Sequence, residues 1–201
     1  LAGVCCAAAG LVRPTAAALV LAVCAAAAVA IWQRRDDWRP WVGALVAPLG
    51  LLGYLAYVAL RTGRWDGWFA VQQHGWDSRF DGGAATAKFA LLILGEPRSV
   101  LELATVWLLV VALALVVLSL RRGLEWPLVV YGAGVLAMDL GSNGLMNSKA
   151  RLLLPAFTLL VPVALALARR RTGTVVGVLV GVSVFSAWFG AYAITAWQYA
   201  I

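Results

Sequence analysis

Residues 103–120 read LATVWLLVVALALVVLSL, and this run contains no charged side chain. Two further runs without charge cover residues 41–60 and residues 174–200. Because about 17 to 25 helical residues cross the hydrocarbon core of a bilayer, all three runs are long enough to span a membrane. The chain is 63% hydrophobic and only 12% charged, a composition that excludes an ordinary soluble globular domain.

Three other apolar runs are candidate spans, namely residues 14–32, 126–138 and 152–168. The predicted fold class is therefore all-α, a polytopic transmembrane helical bundle of about six spans preceded by a partial helix at residues 1–11. A single transmembrane domain is expected to cover the whole chain. The sequence begins within an apolar run and has neither an initiator Met nor the charged segment of a signal peptide. We therefore expect the chain to be the C-terminal part of a longer protein.

Short loops rich in Arg indicate the orientation of the spans. The linkers at residues 33–40, 121–125 and 169–173 hold eight Arg in eighteen residues. Such loops tend to stay cytoplasmic, and an alternating path through the spans puts all three on one side. The long loop 61–98 then lies on the outer face. With two Lys against fourteen Arg, the composition is typical of a GC-rich bacterial gene, so we expect a multi-pass protein of a bacterial plasma membrane.

The outer loop concentrates polar and aromatic residues, since residues 64–80 read RWDGWFAVQQHGWDSRF and hold the only His of the chain. Trp65, Trp68 and Phe69 share one face at helical spacing. Because Trp prefers the headgroup level, the first part of this stretch is predicted to be an interfacial helix. The Trp side chains either mark the interface or stack on a sugar. His74 is a general base, a partner for a sugar hydroxyl, or a surface residue with neither role.

Three cations lie at helix ends on the predicted outer face. Lys149 and Arg151 stand in SKARLLLPAF, immediately before a span, and Arg13 stands in LVRPT, at the start of another. They are either snorkelling anchors of helix ends or ligands of a lipid phosphate or diphosphate, to which converging donors are suited. Asp139 lies at the outer end of its span, where a carboxylate is costly. It is a functional group or a charge partner of Lys149 or Arg151.

Most motifs of soluble enzymes are absent from the sequence. There is no phosphate loop of the G-x-x-x-x-G-K type and no H-E-x-x-H, and a single His excludes a His-rich metal site. Asp66, Asp77 and Asp81 are acid–base groups, ligands of a divalent cation, or solvated loop carboxylates. No cofactor is required by any of these patterns, and no metal ligand is assigned.

Three blocks of the sequence resemble a known family when they are taken in order. They are LVRPTAAAL at residues 11–19, GYLAYVALRTGRWDGWFAVQQHGWDSRFDGG at residues 53–83, and SKARLLLPAFTLLVPVA at residues 148–164. Together they resemble the C-terminal half of bacterial membrane proteins of the PIG-V mannosyltransferase type. That family belongs to the GT-C superfamily of polytopic glycosyltransferases, which implies a GT-C-like bundle.

The resemblance implies the transfer of a sugar, with inversion, from a polyprenyl-phosphate donor to a lipid or glycan acceptor at the outer face. The catalytic carboxylate of such enzymes lies in the first outer loop, which none of the three blocks matches, so no catalytic residue is assigned. By position, Arg13, Lys149 and Arg151 are expected to bind the donor phosphate. The residues expected to contact the acceptor or the sugar are Trp68, Gln72, Gln73, His74, Trp76, Asp77 and Arg79.

Two other functions remain alternatives. A transporter or lipid flippase predicts polar residues at mid-membrane and repeated halves, whereas here the polar groups gather at one face. A non-catalytic membrane scaffold predicts apolar helices with incidental loops. The expected partners are the bilayer, the lipid-linked donor and the acceptor, and the positive charge of the loops follows membrane topology and does not indicate nucleic acid binding.

Overall fold

A computed structural model describes residues 1–33, 37–96, 99–144 and 146–195. Within these ranges the chain is helical, and its only extended pairing is an isolated antiparallel bridge between Phe80 and Ser142. The α-helices are α1 (Ala2–Val12), α2 (Ala17–Trp32), α3 (Arg39–Val46), α4 (Leu49–Thr62), α5 (Gly67–Trp76), α6 (Ala84–Gly95), α7 (Val100–Arg121), α8 (Trp126–Gly141), α9 (Lys149–Leu152), α10 (Val161–Ala168) and α11 (Thr172–Thr195). The all-α prediction is confirmed for the described residues.

Four helical segments are long and apolar enough to cross a membrane, which supports an integral membrane protein. They are Pro14–Trp32, Arg39–Thr62, Val100–Arg121 and Thr172–Tyr192. The second of these contains α3 and α4, which are separated at Pro48 because proline has no N–H to donate. The predicted number of about six spans remains a prediction, and residues 196–200 of the last predicted span lie outside the described residues.

The other two predicted spans are shorter than a bilayer requires. α8 has 16 residues and runs to Gly141, three residues beyond the predicted end. The predicted run 152–168 is interrupted: a 3₁₀-helix covers Leu154–Leu160 before α10 begins. Pro155 and Pro162 explain the interruption, because each removes a backbone donor from the helical ladder.

Residues 1–159 form one compact unit, in which α8 packs against α2 and α7. The centre of this packing is a buried cluster of Ala18, Val135, Ala156 and Leu159. Small residues let the backbones approach, since a Cβ on Gly132 would lie 2.7 Å from side-chain atoms of Leu159. Helix association in this unit therefore depends on small side chains, as it does in membrane proteins generally.

Glycines also bring α1 and α4 into direct backbone contact. A Cβ built on Gly50 would lie 1.7 Å from the carbonyl oxygen of Ala7, and one on Gly10 would lie 2.5 Å from the backbone nitrogen of Leu51. Gly3 meets the backbone of Gly43 in the same way. Two pairs of glycines spaced seven residues apart therefore form the seam between α1 and the α3–α4 segment.

The two ends of this unit differ in their polar residues. The α1–α2 junction, α5 and the C-terminal end of α8 meet at one end, where they line two cavities that hold polar side chains such as Gln72, Ser142 and Lys149. The end of α2, the start of α3 and the start of α8 meet at the other, around Asp37 and Arg39. Exposed Trp side chains occur at both ends, including Trp32 and Trp65. This arrangement matches the aromatic belts that flank a bilayer.

The described residues from 160 onward form a second unit, which contains α10 and α11. Arg169, Arg170 and Arg171 separate the two helices. Within α11, the rings of Trp188 and Tyr192 stack with centroids 6.0 Å apart. α11 is the last of the four helices long enough to cross a membrane.

Candidate functional site

The C-terminal end of α8 is covered by groups from three other segments. A helix leaves its last carbonyls without intrahelical partners, and here the cap residue Ser142 is extended. The Lys149 ammonium donates to the carbonyl oxygens of Asp139 (2.5 Å) and Ser142 (2.8 Å). The Thr86 hydroxyl donates to the carbonyl of Leu140 (2.8 Å). The backbone N–H of Asp81 donates to the carbonyl of Gly141 (2.9 Å), so four successive carbonyls are satisfied.

The loop before α6 is held against this helix end by direct hydrogen bonds. The backbone N–H of Asn143 donates to the Arg79 carbonyl (3.0 Å), and the Arg79 N–H donates to the Asn143 side-chain oxygen (2.6 Å). The hydroxyls of Ser78 and Ser142 lie 3.1 Å apart. A Cβ on Gly141 would lie 2.1 Å from the Phe80 ring. Residues 78–81 and 141–143 are therefore fixed to each other.

Asp81 anchors the start of α6. Its carboxylate accepts hydrogen bonds from the backbone N–H groups of Ala85 (2.8 Å) and Gly83 (2.9 Å). These bonds, the one from Ala85 first, lower the pKa of Asp81 below its ordinary value. Asp81 therefore orders the loop before α6.

We expect Asp81→Ala to reduce the hydrogen-exchange protection factors of the Gly83 and Ala85 amides several-fold, because the carboxylate that accepts from them is gone. Since the pKa of Asp81 is lowered on folding, its contribution is complete above the ordinary carboxyl pKa of about 3.9. The contribution is lost as the pH falls through the lower pKa of the folded protein. Asp77→Asn is the control, because Asn tolerates the left-handed backbone of this position. Equal protection in Asp81→Ala and wild type would contradict this role.

A cavity of about 250 Å³ opens beside the end of α8, and we call it the cationic cavity. All three cations predicted to bind phosphate line it, although they come from the α1–α2 junction and from α9. Its lining consists of Arg13, Gln72, Trp76, Ser78, Ser142, Gly144, Ser148, Lys149, Arg151 and Leu152. The structure thus brings together residues that are more than 130 positions apart in the sequence.

Lys149 is buried, so it is not the exposed helix anchor that the sequence offered as one alternative. The residue is 2% exposed, and two of its N–H groups are committed to the carbonyls of Asp139 and Ser142. Because those carbonyls belong to a helix C-terminus, the negative end of the helix dipole stabilises the ammonium. Lys149 therefore contributes a fixed positive charge to the wall of the cavity, whereas Arg13 and Arg151 are exposed at it.

A second cavity of about 280 Å³ adjoins the first, and we call it the aromatic cavity. The two cavities share Gln72, Ser78, Ser142 and Leu152 as lining residues. The other residues of its lining are Thr15, Trp68, Phe69, Arg79, Phe80, Val135, Met138 and Asp139. The rings of Trp68 and Phe69 pack edge to face with centroids 4.9 Å apart.

Asp139 lies in the wall of the aromatic cavity and is 4% exposed. Neither of its carboxylate oxygens has a hydrogen-bond partner. Lys149 attracts it electrostatically but donates to its backbone carbonyl and not to its carboxylate. The prediction of a charge partner is therefore met only as a longer-range attraction, without a hydrogen bond between the two side chains.

Four of the predicted contact residues line these cavities, and three do not. Trp68, Gln72, Trp76 and Arg79 each line at least one of them. The residues that line neither cavity are Gln73, His74 and Asp77. The Nδ1 of His74 lies 2.7 Å from the Ala70 carbonyl oxygen in its own helix, and Asp77 ends α5 in a left-handed conformation with φ of 45°. These local features account for the positions of His74 and Asp77 outside the cavities.

The start of α5 corrects the prediction that Trp65 shares a helical face with Trp68. The helix begins only at Gly67, and Trp65 is 92% exposed in the preceding turn. Arg64 donates two hydrogen bonds to the Asp66 carboxylate, at 2.9 and 2.8 Å. This pairing lowers the pKa of Asp66 and fixes the turn before the helix. Asp66 is thereby a structural residue of the loop.

A metal centre of three or more carboxylate, His or Cys side chains is not formed among the described residues. Asp66 and Asp81 are engaged in the separate contacts given above, and Asp77 lines neither cavity. The divalent cation that remained an alternative therefore has no site built from these three residues together.

Sequence reasoning missed the small polar residues of the site. Ser78, Ser142 and Ser148 line the cationic cavity, and Ser142 also accepts a hydrogen bond from the Gly144 N–H at 3.3 Å. The only signal in the sequence was the Gly- and Asn-rich turn GSNG after Asp139. Serine is common in turns for local reasons, so its position alone does not distinguish a ligand contact.

No protein-family model matches the chain, and no curated protein or solved structure shows significant similarity to it. The resemblance to PIG-V-type mannosyltransferases therefore stays a prediction, which rests on the three sequence blocks.

Proposed function

We propose that the chain forms the donor-binding part of a membrane glycosyltransferase, which transfers a sugar, with mannose as the first candidate, from a polyprenyl phosphate to a lipid or glycan acceptor. The observation that supports this proposal is the cationic cavity. Arg13, Lys149 and Arg151 were predicted from the sequence as phosphate ligands, and all three line this one cavity.

The chemistry of the lining suits a phosphate group. Arg presents a planar fork of donors that matches phosphate oxygens, and Arg13 and Arg151 both reach the cavity. The serine hydroxyls of Ser78, Ser142 and Ser148 supply further donors of the kind that phosphates accept. Like charges gathered at one cavity repel each other, so an anion between them lowers the electrostatic energy of the site.

The same charges assist glycosyl transfer. An acceptor hydroxyl oxygen forms a bond to the anomeric carbon of the sugar, and the bond between that carbon and the phosphate oxygen breaks with its electron pair. Negative charge grows on the leaving phosphate, and fixed cations stabilise it most in the transition state. The base that takes the proton of the acceptor is not assigned within this chain.

The surroundings of the cavity suit a lipid-linked donor. The cavity lies at the end of the unit where Trp65 and Trp76 are exposed, which is the behaviour of side chains at the headgroup level of a bilayer. The helices below this end carry exposed apolar residues such as Leu52 and Leu91. A polyprenyl tail can thus stay in the bilayer while its phosphate reaches the cationic cavity. We propose that this end faces outward across a bacterial plasma membrane.

The test measures label transfer in membranes that contain the full-length protein, with radiolabelled polyprenyl-phosphate mannose and the native lipid fraction. Arg13→Ala and Arg151→Ala are expected to lower the transfer rate about 100-fold each, because each removes a donor to the leaving phosphate. Arg61→Ala is the matched control, since Arg61 is exposed in the last turn of α4 and lines neither cavity. Protein levels are compared by immunoblot.

Transfer that is unaffected by both substitutions would contradict the phosphate-binding role and reduce Arg13 and Arg151 to helix anchors. An absence of transfer by the wild-type protein with every lipid-phosphate sugar donor would contradict the glycosyltransferase proposal. The remaining candidates would then be a transporter and a membrane scaffold.

A further inference from the structure

The unsatisfied carboxylate of Asp139 is the feature that the proposed function leaves unexplained. A buried polar group without a hydrogen-bond partner is rare, and a buried carboxylate is especially costly. The nearest ammonium does not supply that bond, because Lys149 donates to the backbone carbonyls of Asp139 and Ser142. Attraction to Lys149 offsets only part of the cost of burying Asp139, and its two oxygens still lack hydrogen bonds, which points to a ligand that supplies the missing donors.

The charge around the two cavities restricts the kind of ligand. The cationic cavity carries Arg13, Lys149 and Arg151, and the aromatic cavity adds Arg79. A cationic ligand would be repelled by these four charges, and an anionic ligand would be repelled by Asp139 at short range. A neutral ligand with several hydroxyls avoids both penalties, because it can donate to Asp139 and accept from Arg79 or Gln72.

The remaining lining favours a ring-shaped neutral ligand. Trp68, Phe69 and Phe80 present aromatic surface, which packs against the apolar C–H groups of a sugar ring. The aromatic cavity also adjoins the cationic cavity through four shared residues. A sugar attached to a phosphate can therefore occupy both cavities at once.

We propose that the aromatic cavity binds the sugar ring of the donor, and that the Asp139 carboxylate accepts hydrogen bonds from the hydroxyls of that ring. This proposal rests on the proposed function in so far as it takes the sugar to be linked to the phosphate in the cationic cavity. Asp139 is then a binding residue and not a structural partner of Lys149. The ammonium of Lys149 is already compensated by two carbonyls at the C-terminal end of α8.

The experiment uses the purified full-length protein in detergent with two separate probes. Methyl α-mannoside binding is followed by saturation-transfer NMR, and methyl phosphate binding is followed by ³¹P line broadening. Asp139→Leu and Arg79→Ala are expected to weaken hexoside binding at least tenfold and to leave phosphate binding within twofold of wild type. Asp77→Asn is the control, since Asp77 is exposed and lines neither cavity, and Asn tolerates its left-handed backbone.

Stability separates a binding role from a structural one. Leu has the same branched skeleton as Asp and removes a buried carboxylate that has no hydrogen-bond partner, so Asp139→Leu is expected to unfold at the same temperature as wild type or higher in the absence of ligand. A lower unfolding temperature for Asp139→Leu would overturn the proposal in favour of a charge partner for Lys149. Arg79→Ala then serves as the variant that probes hexoside binding without altering a buried group.

The two probes also separate this proposal from the proposed function. Wild-type protein that binds methyl phosphate but not the hexoside would overturn the sugar cavity and leave the phosphate role intact. Binding of the hexoside that is unchanged in Asp139→Leu and Arg79→Ala would overturn it as well. Binding of the hexoside without methyl phosphate would support the sugar cavity and contradict the phosphate role of the cationic cavity.

Discussion

Lys149→Met is expected to lower the free energy of unfolding by about 3 kcal/mol, because it leaves two carbonyls at the end of α8 without their donor. Met fills a volume similar to that of the Lys stem, so the loss reports hydrogen bonding and charge more than packing. The effect is large because the site is buried, and an unsatisfied buried acceptor loses its full hydration. Chemical denaturation of the purified protein in detergent measures it.

Lys88→Met is the matched control for this experiment. The chain has only these two lysines, and Lys88 is exposed on α6 and lines neither cavity. Its substitution is expected to change the free energy of unfolding by less than about 0.5 kcal/mol, as for surface positions generally. Equal stability of Lys149→Met and Lys88→Met would show that the ammonium does not hold the end of α8.

Gly50→Ala is expected to destabilise the protein by about 2 kcal/mol or more, since a well-packed contact has no room for an added methyl group. The new Cβ would lie 1.7 Å from the carbonyl oxygen of Ala7, and a backbone atom cannot turn aside as a flexible side chain can. α1 must therefore move away from α4, which opens the seam along Gly10 and Leu51 as well. The unfolding temperature in detergent measures the effect.

Gly53→Ala provides the opposite expectation in the same helix. No neighbouring atom lies within 4 Å of a Cβ at this position, so Ala adds no clash. Ala is a better helix former than Gly by about 1 kcal/mol, so the variant is expected to be as stable as wild type or more stable. If Gly50→Ala and Gly53→Ala behave alike, close packing of α1 on α4 does not contribute to stability.

Hydropathy and charge predicted most of the helices because a charge-free run of membrane length has few other structures available to it. The run 103–120 became α7, with bounds within three residues at its start and one at its end. The interruption at Leu154–Leu160 has a visible cause in Pro155 and Pro162. The contact of Gly50 with Ala7 could not be read from the sequence, because it depends on how the surfaces of two helices from distant parts of the chain fit together.

The part of the candidate site that could be predicted from the sequence is its set of charged residues at helix ends. Arg13, Lys149 and Arg151 stood out as cations on the predicted outer side, and they line one cavity. The inward turn of Lys149 was not predictable, because its partners are backbone carbonyls that have no residue-specific signature. The lack of a hydrogen-bond partner for Asp139 was equally hidden, since the sequence indicates a carboxylate but not whether any donor reaches it.

The hydrogen-bonded end of α8 has a consequence for the exchange of segments between related proteins. Thr86, Asp81 and Lys149 cover four consecutive carbonyls, and they belong to two stretches of the chain on either side of α7 and α8. A chimaera that imports only the loop before α6 would place donors of a different protein against the carbonyls at the end of α8, and these donors would not match them. Residues 78–86 and 139–149 therefore depend on each other and have to be transferred together.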